Sequence, residues 1–302
     1  MTHHPAPDAP HGVPRTLLFA TDLGARCDRA FDRAVALADG WKADLIAVHA
    51  LHARAALHAA GEADLPSWRR GPDPLRLATA RLQQDAFETT RPIAVVVAEG
   101  APAEVVLKTA STRGADLIVT AVARDDGLER LLLGSTVDRL LKEATVPVLI
   151  VRQRPRAPYR RIVVATDVSE ASRRALHRAV DFFPDLPLRV FHAYSAPHSA
   201  LAADPVAYRE AYGKGVAEDL DAFLSQSGLG AARIQEVLVE RGDAALLIPD
   251  YLKAVEADLL VMGTRRKGLL MDLLAGSTAR SVLEGVRCDA LVVPDPGEGA
   301  QA

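Results

Sequence analysis

The sequence predicts two tandem α/β domains, each a doubly wound parallel sheet of five strands flanked by helices. The first observation is an internal repeat, because residues 16–38 match residues 161–183 around a shared ATD, and LLLGST at 131–136 matches LLAGST at 273–278. The second is that apolar Val/Ile/Leu runs alternate with helical stretches in both halves. These runs are nearly continuous, which is typical of parallel strands covered on both faces.

The predicted strands and helices follow one another in the same order in each half. LLFAT or IVVAT is the first strand, a helix rich in Arg and Ala follows, and LIAVHA or LRVFHA is the second strand. A variable segment leads to the third strand, IAVVVAEG or IQEVLVERG. Another helix precedes the fourth strand, DLIVTAV or DLLVMGT, after which GST begins a helix and VPVLIVR or DALVVP is the last strand. This alternation predicts right-handed crossovers in a doubly wound sheet.

Proline-rich and polar stretches mark the boundaries. We expect a disordered tail at 1–13, a first domain at 14–152 (the first half), an extended linker at 153–157, a second domain at 158–295 (the second half), and a tail at 296–302. The N-terminus lacks the apolar core of a secretory signal. No apolar stretch approaches the roughly 20 residues of a membrane helix, so we expect no membrane partner.

Composition narrows the function classes. The chain of 302 residues is 49% hydrophobic and 25% charged, which is ordinary for a globular protein. A net charge of −3 argues against a strongly basic nucleic-acid binder. Cys27 and Cys288, with no CxxC spacing, predict neither a disulfide framework nor a zinc site, and a reduced cytoplasmic location fits best.

The loop after the fourth strand of the second half has the glycines of a phosphate-binding loop without its full motif. Gly263 and Gly268 have Walker A spacing, but Leu269 and Leu270 stand where Lys and Ser/Thr are required. What remains is a glycine-containing loop and GST at a helix start, which can bind phosphate or can be ordinary capping. If the strand order is 3-2-1-4-5, the ligand crevice lies between strands one and four, where this loop would meet Asp167.

Four features of the sequence are typical of a known family: ATD, the ADLIV-type fourth strand, LLLGST and the VPVLIV-type last strand. Through these features the chain resembles the universal stress proteins in their tandem form, from Thr16 to Pro294. The resemblance implies the 3-2-1-4-5 strand order in each half. It also implies a last strand that serves as dimer contact, so that the two halves form an intrachain pseudo-dimer; a homodimer of whole chains stays open. Many members bind ATP through G-x2-G-x9-G-[ST], with a first-strand Asp near the adenine, and others lack the motif and do not.

Each half departs from that motif at the middle glycine. Arg266 replaces it in the second half and Arg124 in the first, where Ala121 also replaces the first glycine. An arginine at this position would either block the site or contact phosphate. The first half adds Asp125 and Asp126, which would repel a triphosphate, whereas the second half adds cations.

If one half binds ATP, with or without Mg²⁺, the second is therefore the better candidate. The resemblance places the binding residues of the second half at Asp167, Gly263, Arg266, Gly276, Ser277 and Thr278. The corresponding, weaker set in the first half is Asp22, Gly134, Ser135 and Thr136.

We interpret the chain as a stress-response protein that acts as an ATP sensor or scaffold rather than an enzyme, with no catalytic or metal-binding residues. The alternative is a structural or interaction module that binds a protein or another small ligand, and a weak ATPase is a third. His49 and His192 end the second strand of each half, and no nucleophile is placed to act with them, so packing or a hydrogen bond to the loop is the better interpretation.

Overall fold

A single ten-stranded sheet forms the centre of the molecule. The computed structural model describes residues 12–51, 73–87, 89, 92–122, 133–230, 233–264 and 277–295. The strands are β1 (Thr16–Thr21), β2 (Asp44–Leu51), β3 (Ile93–Glu99), β4 (Leu117–Ala121), β5 (Val148–Val151), β6 (Ile162–Thr166), β7 (Leu188–Tyr194), β8 (Ile234–Arg241), β9 (Leu259–Thr264) and β10 (Asp289–Pro294).

Helices cover both faces of this sheet. Those in the described ranges are α1 (Asp28–Trp41), α2 (Pro74–Phe87), α3 (Pro102–Arg113), α4 (Ser135–Glu143), α5 (Glu170–Phe182), α6 (Pro205–Gln226), α7 (Ala244–Ala254) and α8 (Ser277–Gly285). Buried side chains of α1, α2, α5 and α6 form a core on one face, and those of α3, α4, α7 and α8 form a core on the other. Successive strand residues such as Leu17 and Leu18 therefore bury themselves on opposite faces, which explains the continuous apolar runs.

The predicted α/β architecture and the strand order are confirmed. The sheet runs β3-β2-β1-β4-β5-β10-β9-β6-β7-β8, so each half has the order 3-2-1-4-5. Pairing is parallel within each half and antiparallel between β5 and β10, where the halves meet. Leu149 pairs with Leu291 there, and these two residues occupy equivalent positions of the repeat, so a pseudo-twofold axis passes through this pair.

The first helix of each half begins differently. Ser169 precedes α5 and accepts a hydrogen bond from Ser172 N–H, while the Ser172 side chain returns to the Ser169 backbone in a capping box. The first half has Gly24 in place of Ser169, and α1 begins only at Asp28, whereas Glu170 begins α5. Because glycine offers no capping oxygen, the first half lacks the first turn of this helix.

The segment predicted as an extended linker, 153–157, has irregular backbone and is largely exposed, whereas Arg152 and Tyr159 on either side of it are buried. Arg152 is 6% exposed and Tyr159 is 4% exposed, whereas Arg154 and Arg156 are exposed. Tyr159 lies against the ring of Phe183, with centroids 5.7 Å apart. Residues 1–11 of the tail predicted at 1–13, and the tail predicted at 296–302, lie outside the described residues.

Candidate functional site

Neighbouring strands stop pairing at their carboxyl ends where the strand order reverses. In the second half, β6 and β9 pair as far as Ala165 and Met262, beyond which Gly263 and Thr264 pair only with β10. In the first half, β4 likewise outruns β1, and Ala121 pairs only with β5. Neighbouring strands that diverge in this way leave the crevice in which doubly wound proteins bind ligands.

The ATD sequence builds a tight turn beside this crevice. Thr166 Oγ1 accepts the Val168 N–H at 3.0 Å, and Asp167 Oδ1 accepts the Ser169 N–H at 3.1 Å and the Ser169 hydroxyl. Val168 has a φ of +61°, a left-handed conformation that a β-branched residue adopts only under local constraint. The two side-chain acceptors supply that constraint.

The first half repeats this turn with other residues. Leu23 N–H donates to Thr21 Oγ1 at 3.0 Å, Gly24 N–H donates to Asp22 Oδ1 at 2.8 Å, and Leu23 has a φ of +60°. Burial disfavours the charged form of Asp22, but hydrogen bonds from the Cys27 thiol and the Gly24 amide outweigh it and hold the pKa of this carboxyl below its usual value. The first-strand Asp therefore has a structural role in both halves.

The two strand-end histidines also hold this turn. His192 Nδ1 donates to the Thr166 carbonyl at 2.7 Å, and His49 Nδ1 donates to the Thr21 carbonyl at 2.9 Å. The interpretation of these residues as partners in a strand-end hydrogen bond is confirmed. Because a carbonyl can only accept, Nδ1 carries the hydrogen, and in the neutral ring Nε2 is left as an acceptor.

In the second half a cavity of about 480 Å³ lies beside the turn. Its walls come from the turn itself, α5, the end of β7 and one face of α6, through Asp167, Val168, Arg173, His192, Val216, Asp219, Ala222, Phe223 and Gln226. Arg173 lies over the Phe223 ring at 4.5 Å and donates to the Phe223 carbonyl at 3.2 Å, which holds its guanidinium against the cavity wall.

The first half has a groove with different chemistry at this place. It has a volume of about 1,400 Å³ and extends from the turn residues Thr21 and Leu23 along α1 to Trp41 and Pro155. The repeat puts Asp28 where the second half has Arg173, and Asp28 lines the groove. At this position of the repeat, the second half therefore has a cation and the first half has a carboxylate.

Gly263 lies under the first turn of α5. A Cβ on Gly263 would come within 2.3 Å of the Ala171 carbonyl oxygen and 2.9 Å of Ser172 N. The first half lacks this turn, so Ala121 fits at the equivalent position. The close approach of two backbones thus explains the glycine at position 263. The sequence analysis treated this glycine as part of a phosphate-binding loop and did not predict the backbone contact.

The repeat is also the feature that the family comparison matches. The model of the universal stress protein family matches residues 14–152 and again residues 158–294. The chain belongs to the universal stress protein family.

Known relatives match part of this chain. Universal stress protein MJ0531 of Methanocaldococcus jannaschii is 31% identical over 149 residues, which are 46% of this chain and 84% of that protein. Universal stress protein E of Escherichia coli K12 is 26% identical over 218 residues, 66% of this chain and 67% of that protein.

Solved structures share the tandem fold. A functionally unknown protein of Pseudomonas aeruginosa PAO1 has a TM-score of 0.65 at 20% identity, covering 93% of this chain and 92% of its own. A universal stress protein of Archaeoglobus fulgidus has a TM-score of 0.61 at 18% identity, covering 93% and 98%.

The predicted site residues of this universal stress protein are only partly described. Asp167 follows β6, Gly263 lies in β9, and Ser277 and Thr278 begin α8, all at the carboxyl edge of the sheet. Arg266 and Gly276, like Arg124 in the first half, lie outside the described residues.

In the first half, Asp22 lies in the turn described above. Gly134 precedes α4 with a φ of +78°, a conformation that favours glycine, and it has no side chain to cap the helix. Ser135 and Thr136 are the first two residues of that helix.

Sequence reasoning missed the wall that α5 and α6 provide. Arg173, Phe223 and Gln226 line the cavity, and none of them belongs to a recognised motif. A signal for Arg173 was present, because the aligned repeat shows a charge reversal against Asp28. No comparable signal exists for Phe223 and Gln226, because the variable segment before α6 obscures the alignment.

The cysteines carry no activated thiol. Cys27 donates its S–H to Asp22 Oδ1 at 3.1 Å, and burial raises its pKa to about 11. Burial raises the pKa of Cys288 to about 12. Within the described ranges no group of three or more His, Cys, Asp or Glu side chains is placed to hold a metal ion, and no helix is long and apolar enough to cross a membrane.

Proposed function

We propose that this universal stress protein acts in the stress response by binding an adenine nucleotide in its second half, as a sensor or a scaffold. The observation that carries the proposal is the cavity of about 480 Å³ beside Asp167, which holds Arg173 where the first half has Asp28. Its volume falls within the range of pockets that bind small molecules.

One position of the repeat differs in charge in favour of the second half. The Arg173 guanidinium lies over Phe223 at the cavity wall, where it pairs with Glu170 at 3.2 Å and is the cation in a lining that also contains the carboxylates of Asp167 and Asp219. A contact at about 4 Å contributes roughly 1 kcal/mol in water and up to about 4 kcal/mol near a protein surface. Asp28 would reverse the sign of this contribution in the first half.

The cavity also suits a flat, nitrogen-rich base. Val168, Val216 and Phe223 provide apolar walls. Among the polar groups, His192 offers an acceptor at Nε2, and the Gln226 amide offers both donors and acceptors. An adenine, which presents an amino donor next to ring nitrogen acceptors, fits this combination.

The phosphate side would lie toward α8. Ser277 is the first residue of this helix, whose amino end carries partial positive charge. The motif residues Arg266 and Gly276 stay predictions. With Mg²⁺ as counterion, Arg266 either contacts phosphate or blocks its approach. Replacing Arg266 with Gly decides between them, because affinity for ATP falls if the arginine is a contact and rises if it blocks.

Calorimetric titration of the whole chain with ATP, with and without Mg²⁺, tests the proposal. We expect saturable binding of one nucleotide per chain. Arg173→Glu and His192→Gln should each weaken binding about tenfold or more, since each removes a group from the cavity wall.

The first half provides a matched control. His49 makes the same strand-end hydrogen bond as His192, so His49→Gln carries the same folding cost without touching the second cavity. Absence of binding at millimolar ATP would contradict the proposal. So would equal losses of affinity from His49→Gln and His192→Gln.

The second candidate is a module that binds no nucleotide, and the first half favours it for its own part of the chain. Asp28 lines its groove and Ala121 replaces its first motif glycine, so we assign the first half a structural role. We propose no vigorous catalysis in either half. Release of phosphate from ATP well above a buffer control, abolished by Asp167→Asn, would revive the weak ATPase.

A further inference from the structure

The contact surface between the halves, called the seam below, consists of β5 and α4 of the first half and β10 and α8 of the second half. It brings equivalent positions of the repeat into contact with each other. The pseudo-twofold axis passes through the Leu149–Leu291 pair of β5 and β10. Any residue near the axis therefore contacts its own counterpart from the other half. Identical residues would meet like with like, as they do in a symmetric dimer.

Asp138 and Arg280 are such counterparts, and their charges are opposite. They lie 142 positions apart, at the fourth residues of α4 and α8. Arg280 Nη1 contacts Asp138 Oδ2 at 3.2 Å, and both side chains are less than a third exposed. In a pair of two first halves, two carboxylates would meet here, and in a pair of two second halves, two guanidinium groups.

A buried carboxylate also distinguishes a pair of unlike halves from a pair of like halves. Asp289 is 1% exposed and accepts hydrogen bonds from Arg152 N–H at 2.8 Å, Gln153 N–H at 3.1 Å and the Tyr159 hydroxyl at 2.6 Å. Arg33 of α1 lies 3.2 Å from the same carboxylate. Arg33, Arg152 and Gln153 precede the second half in the chain, whereas Tyr159 lies near its start.

The repeat shows what a pair of like halves would lack. Pro147 is the counterpart of Asp289, and its side chain offers no acceptor to a second Arg152. Pro294 and Asp295 are the counterparts of Arg152 and Gln153. In a pair of second halves, Pro294 would supply no N–H to Asp289, and Asp295 would add a carboxylate. Buried polar groups would lose their partners in both cases.

We infer that the seam is an interface specified for unlike halves: the β5/α4 surface of the first half accepts the β10/α8 surface of the second half and rejects a copy of itself. The attractive element is the Asp138–Arg280 pair together with the contacts of Asp289 with Arg33, Arg152 and Gln153. The repulsive element is the like-charge or unsatisfied contact that any like pair would create. The partner that this surface fits is thus the other half of the chain, and a second chain is excluded from pairing like with like.

Hydrogen exchange of the whole chain, followed by mass spectrometry on peptides of β5 and β10, tests this inference. Arg280→Asp sets two carboxylates opposite each other, as two first halves would. Asp138→Arg sets two guanidinium groups together, as two second halves would. We expect exchange at β5 and β10 to accelerate about two- to fivefold in each variant and to return toward the wild-type rate in the double variant.

The controls separate recognition across the seam from general loss of ion pairs. Arg139 pairs with Glu104 and Glu143 within the first half, so Arg139→Glu should leave exchange at β10 unchanged. The neutral variants Asp138→Asn and Arg280→Gln should show smaller effects than the reversals, and they serve if a reversal fails to fold. The inference would be overturned if β5 and β10 exchanged hydrogen no faster in Asp138→Arg than in Arg139→Glu. It would also be overturned if exchange in the double variant were as fast as in the single variants.

Discussion

Gly263 shows how one residue can satisfy both a motif and a packing contact. The family motif has glycine at this position, and here the backbone of Ala171 and Ser172 fills the space above it. The first half has no helical turn at that place and accepts Ala121. The two positions therefore differ in what surrounds them, although their sequences align.

A methyl group at Gly263 should be costly. Gly263→Ala places a Cβ 2.3 Å from the Ala171 carbonyl oxygen, so α5 must shift. We expect a loss of about 1–3 kcal/mol in the free energy of unfolding, measured by urea denaturation. The matched change Ala121→Gly should cost about 1 kcal/mol or less. Equal losses in the two variants would contradict the packing explanation.

The two cysteines predict how stability changes at alkaline pH. Burial raises the pKa of Cys27 to about 11 and that of Cys288 to about 12, whereas an exposed thiol titrates near 8.5–9. Above about pH 9 the unfolded chain loses these protons first, so the folded state holds more protons and stability falls as pH rises.

Urea denaturation between pH 8.5 and 10 measures this effect. The free energy of unfolding should fall by about 1 kcal/mol more per thiol in the wild type than in Cys27→Ala/Cys288→Ala. Burial lowers the pKa of Arg152 to about 10, so the folded state carries a cost for the charged guanidinium that eases only as pH approaches 10, and both proteins share this effect. Parallel pH dependence of the two proteins would argue against buried, protonated thiols.

At the scale of elements, a single cap decides where a helix begins. Ser169 caps α5 and bonds Asp167, so the capped turn connects the crevice to the helix that covers Gly263. The first half, with Gly24 at this position, loses the turn. The sequence predicted both helices, but not that their first turns would differ, because the effect of a cap depends on what the turn then packs against.

Removing the cap should loosen this turn. Ser169→Ala eliminates the acceptor for Ser172 N–H, and we expect a loss of about 1 kcal/mol in unfolding free energy. Hydrogen exchange should accelerate in residues 170–173 while α1 remains unchanged. Unaltered exchange in the first turn of α5 would show that packing, rather than the cap, holds it.

At the scale of the whole molecule, Asp289 joins the halves. It lies in the last strand, yet its hydrogen-bond donors are Arg152 at the end of the first half, Gln153 in the linker and Tyr159 near the start of the second half. The sequence predicted residues 153–157 as an extended linker because their prolines and cations lack an apolar period. The role of Gln153 became clear only from its partner 136 residues later.

Breaking this contact should destabilise the chain strongly. Asp289→Asn turns an amide toward Arg33 and leaves a buried cation without its counter-charge. We expect a loss of about 3–5 kcal/mol in the free energy of unfolding. Asp295→Asn is the matched control, because the Asp295–Arg174 pair is more exposed and should be worth about 1 kcal/mol. A loss at Asp289 no larger than at Asp295 would contradict its role in joining the halves.

The sequence by itself determined the class of the fold and the repeat, because these depend on periodicity and on motifs that neighbouring residues carry. It also singled out Asp167 and Gly263. Only the tertiary structure decided that Asp167 holds its own turn, that Arg173 lines a cavity, and that the halves meet through opposite charges at Asp138 and Arg280. Each of these depends on which residues distant in the chain come into contact, and local sequence patterns carry no record of such pairs.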